Sequence, residues 1–293
     1  MVNEIYRFKV GAFECVAVSD GSLTYAPPMF PPPPVLLFGE VPAEVLAPVL
    51  GKHDVQLRQW TEWTSPYTCL LMNASGHQML VDTGADGFAP STGRLLQSLR
   101  VAGVAPGDID TVILTHAHPD HAGGNIDAEG KLTFPNARHV MWKSEWDFWT
   151  SDKAAKKLGE HGKMLVELAR RNLPPIRDRV DLVDHETEIL PGIRVVAAPG
   201  HTPGHIAVAI SSEGQQLLCI ADTVLHPVHL EQPEWCAVVD VAPEQVVATR
   251  RQLLNRAAVE KALVLAFHFP FPGLGHVVPK GSAWQWQPIQ RPN

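Results

Sequence analysis

Seven consecutive residues, Thr115-His116-Ala117-His118-Pro119-Asp120-His121, constrain this chain more than any other stretch. They follow Asp110 to Thr115, which reads as a short apolar strand. Alternation at a strand end points His116 and His118 to one side. Asp120 and His121 come in the next turn and can face the same space from another direction. Four ligand-type side chains packed this tightly exceed what one ion normally draws from a single loop, whereas two adjacent ions would use them. A purely structural role fits poorly, because a core rarely offers partners for four packed polar groups.

Three more ligand-type residues stand in equivalent places. His201 follows the strand-like run Ile193–Ala198 across Pro199-Gly200, Asp222 ends Leu217–Ala221, and His268 ends Leu263–Phe267. Taken singly, each has a bland reading: a loop histidine, a turn aspartate, a satisfied core histidine. Together they lie past the carboxyl ends of predicted strands, and in layered α/β folds those ends gather at one rim.

Elsewhere the pattern alternates. Strand-like runs cover Ile5–Val10 and Phe13–Ser19, with a turn signal at Asp20-Gly21. Ala26 to Pro34 holds six prolines in nine residues, which predicts a stiff extended arm. Pro66 to Val81 reads as strand, turn at Ser75-Gly76, strand, ending in Asp82-Thr83-Gly84. Helices are predicted over 93–101, 152–171 and 243–258, the last with Val247, Leu254 and Ala258 on its inner face. Ser144 and Asp147 have capping-box spacing for a helix after the strand Arg138–Trp142. The expectation is one α/β domain over residues 1–293, built on mixed sheets, with N-terminal strands and the proline-rich arm in residues 1–40.

Composition narrows the function classes. A formal charge of −7 without a basic stripe argues against nucleic acid, and no apolar run approaches a membrane span. The four cysteines, Cys15, Cys69, Cys219 and Cys236, are widely spaced. They read as free thiols in a reducing compartment. With no apolar signal segment at the start, a cytoplasmic location is expected.

Thr115 through Gly124, with His201, Asp222, His268 and Val81-Asp82-Thr83-Gly84, closely resembles the metallo-β-lactamase-fold hydrolases. Phe13 to Gly21 and His268 to His276 are most similar to the branch holding methyl parathion hydrolase and the N-acyl-homoserine lactonases. The resemblance implies an αββα sandwich, two mixed sheets flanked by helices, with metals at one edge. It also implies that His116, His118 and His201 hold one ion, that Asp120, His121 and His268 hold the other, and that Asp222 bridges them. The implied cofactor is two divalent ions, zinc first, with manganese, iron or cobalt also compatible. In that scheme a hydroxide shared by the metals attacks a small neutral ester, lactone or phosphotriester. Asp120 orients the nucleophile and moves a proton, and Asp82 and Thr115 orient metal-bound imidazoles. One departure concerns the third position after Asp222, where many lactonases of the superfamily carry a tyrosine; here it is Leu225.

Candidate pocket walls are Trp142, Trp146, His226, Phe269 and Phe271. The expected partner is a small-molecule substrate. A homodimer that uses the greasy arm from Pro27 to Phe38 is also expected. Two alternatives stay open: a glyoxalase-II-like thioesterase, and a non-hydrolytic metal-binding protein on the same scaffold.

Overall fold

Burial along the second strand sets the layers. In Phe13–Tyr25, Cys15 and Ala17 point to one apolar layer while Val16 and Val18 point to another, so the strand is covered on both faces. The computed structural model describes residues 4–290, apart from the side chain of residue 161; Met1–Asn3 and Arg291–Asn293 lie outside the described residues. Strands β1 (Ile5–Val10), β2 (Phe13–Tyr25), β3 (Trp63–Ala74), β4 (His77–Val81), β5 (Thr111–Ile113), β6 (Arg138–Trp142) and β7 (Val180–Val183) form one sheet in chain order. Strands β8 (Thr187–Leu190), β9 (Ile193–Ala197), β10 (Ile206–Ser212), β11 (Gln215–Cys219), β12 (Leu263–Leu265), β13 (Leu274–Lys280) and β14 (Ala283–Pro288) form the second. Both sheets are mixed: β4 through β7 pair in parallel, as do β11 and β12, and the remaining pairs are antiparallel.

The sheets pack face to face through Ala17, Leu70, Met79 and Ile113 on one side and Val195, Val208, Leu217 and Leu265 on the other. Helices cover the outer faces. The α-helices among the described residues are α1 (Pro33–Phe38), α2 (Ala43–Gly51), α3 (Leu95–Ala102), α4 (Pro119–Ala122), α5 (Lys143–Thr150), α6 (Asp152–Leu158), α7 (Lys163–Asn172), α8 (Val228–Glu231) and α9 (Pro243–Glu260), of which α1 and α2 instead pack with α8 in an apolar cluster of their own. Leu95, Leu99, Trp146 and Val166 lie over the first sheet, and Leu253, Leu254 and Ala257 over the second. The result is the αββα sandwich that the resemblance implied.

Several local expectations change. Asp20-Gly21 is a bulge inside β2, not a turn. The Asp20 carboxylate is buried and accepts the amides of Ala85, Gly93 and Leu95, which ties the strand to the start of α3. The proline-rich arm is not extended: it turns, then enters α1 with proline in the first helical turn, where no N–H is needed. Leu36, Leu37 and Phe38 are buried within the chain. The rest of the arm is less covered: Pro27, Pro28, Met29, Pro31, Pro32 and Val35 remain exposed.

The helix expected over 152–171 breaks at Gly159 into α6 and α7. Ser144 caps nothing, because α5 already begins at Lys143; its hydroxyl donates to the Pro203 carbonyl instead. Along α9 the inner face is Val246, Leu253, Leu254 and Ala257: Leu254 is buried as expected, while Val246 and Ala257 are buried in place of Val247 and Ala258. Cys15, Cys69 and Cys219 are buried free thiols, whereas Cys236 is only partly covered. No helix among the described residues is long and apolar enough to cross a membrane.

Candidate metal centre

Strand ends at one edge of the sandwich bring the ligand-type residues together. His116 and His118 sit in the loop after β5, while Asp120 and His121 lie on α4, which Pro119 opens. His201 follows β9, Asp222 lies in a short turn after β11, and His268 follows β12. The candidate ligand atoms fall into two groups, His116, His118, His201, Asp222 and Asp120, His121, His268, within each of which all lie within 4.8 Å of one another. Asp222 reaches both groups: its Oδ2 is 3.2 Å from His201 Nε2 and from His268 Nε2, and its Oδ1 is 3.1 Å from His121 Nε2. Asp120 Oδ2 lies 3.6 Å from His268 Nε2.

Two backbone positions here are strained. Asp82 and Ala221 both have positive φ, 64° and 39°, the region that ordinary side chains avoid. Asp82 thereby turns its carboxylate under the cluster, and Ala221 turns the chain to present Asp222. At Gly84 a Cβ would fall 2.5 Å from the Asp20 carboxyl carbon, so only glycine passes there.

Four partners fix the rings. Asp82 Oδ2 accepts from His121 Nδ1 at 2.8 Å, and the Thr115 hydroxyl lies 3.2 Å from His116 Nδ1 while donating to Asp82. Asp240 Oδ1 accepts from His201 Nδ1 at 2.8 Å, and Ser65 Oγ lies 2.9 Å from His268 Nδ1. Each leaves Nε2 facing the cluster. Asp82 and Thr115 stand where the sequence placed them. Asp240 and Ser65 were not anticipated, since neither adjoins a ligand in sequence. His205 was also missed: its Nε2 accepts the Asp222 amide at 3.1 Å, which positions the carboxylate.

Charge in the cluster is strongly redistributed. Burial holds His116 and His118 well below the usual histidine range, in the neutral form that ligates metals. Burial opposes protonation of His201 and His121 as well, but Asp222 outweighs it in both. With Asp240 it brings His201 to about 9, and with Asp120 it holds His121 well above its ordinary value. Asp222, despite burial, is held well below the carboxylate range by His268, His121 and His201. The cluster thus attracts positive charge. His116 Nε2, His121 Nε2 and Asp222 Oδ1 are buried without a hydrogen-bond partner of good geometry. Such orphaned atoms are costly unless something else satisfies them. Nitrogen and oxygen donors of this kind, aimed inward and unpaired, fit two divalent cations.

Beside the cluster opens a cavity with about 700 Å³ of free space, its mouth included. Its five ligand-type lining residues, His118, Asp120, His201, Asp222 and His268, belong to the cluster, and the rest of the wall is apolar or aromatic. The arm supplies Phe30, Leu36 and Leu37, β2 and β3 supply Tyr25, Trp63 and Tyr67, and α7 supplies Met164 and Leu165.

None of the five expected walls lines this cavity. Trp146 is buried under α5 in the outer core, Trp142 and Phe271 pack at the layer between the sheets, and Phe269 packs edge-on to Trp286. His226 lies among Phe38, His53 and Trp60. Nearness in sequence to a ligand or to a strand end misled, because successive residues leave a strand end toward different layers. His229 is fully buried and lies 2.9 Å from the Leu37 carbonyl.

A family model described as the metallo-beta-lactamase superfamily matches residues 64–285. An N-acyl homoserine lactonase of Bacillus thuringiensis is 26% identical over 225 residues, covering 69% of this chain and 81% of that protein. Another, from Bacillus sp., is 28% identical over 177 residues, 53% of this chain and 63% of the relative, so the match spans just under two thirds of its length. Among solved structures, AidC, described as a dizinc quorum-quenching lactonase in complex with a homoserine product, superposes with a TM-score of 0.89 at 29% identity, covering 99% of this chain and 98% of that one. AbOPH, described as a hydrolase in the beta lactamase superfamily, gives 0.87 at 27% identity, with both chains fully covered.

Proposed function

The chain belongs to the metallo-beta-lactamase superfamily, in its lactonase-like branch of metal-dependent hydrolases, and from that premise we propose that it hydrolyses neutral lactones or esters carrying an apolar acyl arm. N-acyl homoserine lactones, on which its lactonase relatives are described as acting, are the first candidates.

The observation that carries this reading is the cavity wall. Among the described residues no lysine or arginine lines it, and its polar groups are those of the metal cluster, the hydroxyls of Tyr25 and Tyr67 and the indole of Trp63. An anionic substrate would find no cationic clamp in the protein, whereas an acyl chain gains about 25 cal/mol per Å² of apolar surface removed from water.

Two zinc ions, held by His116, His118 and His201 and by Asp120, His121 and His268 with Asp222 between them, would supply an activated water near neutral pH and polarise the carbonyl. The chain's own residues do the rest. Asp120 is the one ligand carboxylate that is part-exposed to the cavity, with 14% of its side chain accessible, so it can orient the attacking oxygen and take its proton. Tyr25 and Tyr67 share one hydrogen bond at 2.7 Å between their hydroxyls, which leaves the second phenol proton free to donate to a substrate oxygen. Burial keeps both phenols well above their ordinary pKa, so they remain donors. Phe30, Leu36 and Leu37 of the arm cover the acyl chain and exclude water.

The test is a substrate panel for the zinc-loaded protein: short- and long-chain acyl homoserine lactones, p-nitrophenyl esters, a phosphotriester, a phosphomonoester and a glutathione thioester. The expected order places long-chain neutral lactones or esters first in kcat/KM. A higher value for the thioester or the phosphomonoester would overturn the reading.

A further inference from the structure

On α5, in a face otherwise made of Trp146, Phe148 and Trp149, stands one carboxylate with no accessible surface, Glu145. A leucine would fill such a place, and removing a carboxylate from water costs several kcal/mol. Among the described residues no lysine or arginine pairs with it. Its partners are donors: Oε1 accepts the Ala117 amide at 3.0 Å and the Trp149 indole at 2.7 Å, Oε2 accepts the Gly204 amide at 2.9 Å, and the Thr202 hydroxyl beside His201 also favours the charged form.

Those amides belong to two different loops. Ala117 sits between His116 and His118, and Gly204 lies three residues past His201. One carboxylate therefore ties the two loops together behind the cluster, where His118 Nδ1 and His201 Nε2 come within 2.9 Å. The approach is close enough to need glycine: a Cβ at position 204 would lie 2.3 Å from the Glu145 amide nitrogen. Trp149, held by the same carboxylate, packs edge-on to the His118 ring with centroids 5.5 Å apart. The other half of the cluster is anchored separately, by Asp82 to His121, by the Thr83 amide to the His121 carbonyl and by Ser65 to His268.

We infer that Glu145 is the positioning residue for the His116, His118 and His201 half of the metal centre, setting the gap between the two ligand loops. Among the described residues its hydrogen bonds go to no ligand ring and it does not line the cavity, so it acts through the backbone on either side. Charge-assisted N–H bonds of this kind are among the stronger ones and favour a single geometry.

The experiment is zinc titration of metal-stripped protein against a chromophoric chelator, with cobalt(II) substitution as an optical readout. Wild type should show two binding steps. In Glu145→Gln an amide N–H group faces the Ala117 or Gly204 amide, and one step should weaken about 10–100-fold, as for other outer partners of metal ligands. The other step should stay as in wild type. The weakened step should be the one that Asp240→Asn weakens and Ser65→Ala does not, with the cobalt spectrum altered at that site alone. Trp149→Phe, which removes one donor to Oε1, should lower the same step by less. Two wild-type steps in folded Glu145→Gln would overturn the inference, and so would equal weakening of both, which marks a general loss of packing. Should Glu145→Gln fail to fold, unchanged steps in Trp149→Phe overturn it. Absence of two steps in wild type sinks the metal centre itself, a separable result.

Discussion

Asp240 and His201, 39 residues apart, meet at 2.8 Å between Oδ1 and Nδ1, and this contact decides which ring nitrogen faces the cluster. A carboxylate can only accept, so Nδ1 donates and Nε2 is the nitrogen that faces Asp222 and His118. Asp240 is itself held, because its Oδ2 accepts the Ala237 amide at 2.8 Å. Asp240→Asn can present an N–H to Nδ1 and so favour the opposite tautomer. Zinc affinity of one site should fall about 10–100-fold, with kcat falling alongside. Unchanged zinc affinity would show that the contact does not orient the ligand.

Asp222 lies within 3.2 Å of nitrogens from both ligand groups. Its replacement by alanine should abolish turnover and lower the zinc content below two per chain. Elemental analysis after gel filtration reads the outcome, and near-normal activity with both ions retained would remove Asp222 from the bridging role.

Met164 lines the cavity yet remains 42% exposed, so truncating it costs the fold little. Met164→Ala should raise KM for long acyl chains about two- to fivefold, the loss expected from a few tens of Å² of contact. kcat should hold, because a wall contributes uniform binding. A fall in kcat at constant KM would place Met164 nearer the chemistry.

Trp146 is 4% exposed and packs in the core outside the first sheet. Trp146→Ala should destabilise the protein by about 3–5 kcal/mol, as large-to-small core changes do. Its KM for bulky substrates should stay near wild type under conditions where it is folded. Urea unfolding and steady-state kinetics on one preparation separate the two effects.

His139 is buried on β6 with neither ring nitrogen hydrogen-bonded, and burial lowers its pKa to about 4. Its pKa is lower in the folded than in the unfolded chain, so the unfolded state binds the extra proton and stability falls as pH drops from about 6.5 toward 4. Between pH 7 and 5 this single group should cost about 2 kcal/mol. His139→Leu should therefore lose less stability than wild type over that interval. Parallel stability curves for the two proteins would refute it.

The fold class and the seven ligand-type residues were legible because local signals carry them. Each ligand lies at or just past an apolar run, and the tight group His116-Ala117-His118-Pro119-Asp120-His121 has few bland explanations. Strand periodicity likewise placed β1, β6 and β9 almost to the residue. Helix limits were less legible where a glycine interrupts a continuous pattern, as at Gly159. On α9 Leu254 was placed correctly but Val247 and Ala258 were each one position off, because small alanines on neighbouring faces blur the period.

What the sequence determined alone is the chemistry on offer: nitrogen and oxygen donors at strand ends, no cationic clamp beside them, and apolar runs enough for two covered sheets. What only the tertiary structure decided is which distant residues complete that chemistry. Asp240, Ser65 and Glu145 act across 39, 203 and at least 28 residues of chain. The cavity walls come from the arm, β2, β3 and α7 in place of the aromatics beside the ligands. A strand end fixes where its own side chains go by alternation, which is local. Which layer folds over that end is set by packing between elements far apart in the chain, and no short-range pattern records it.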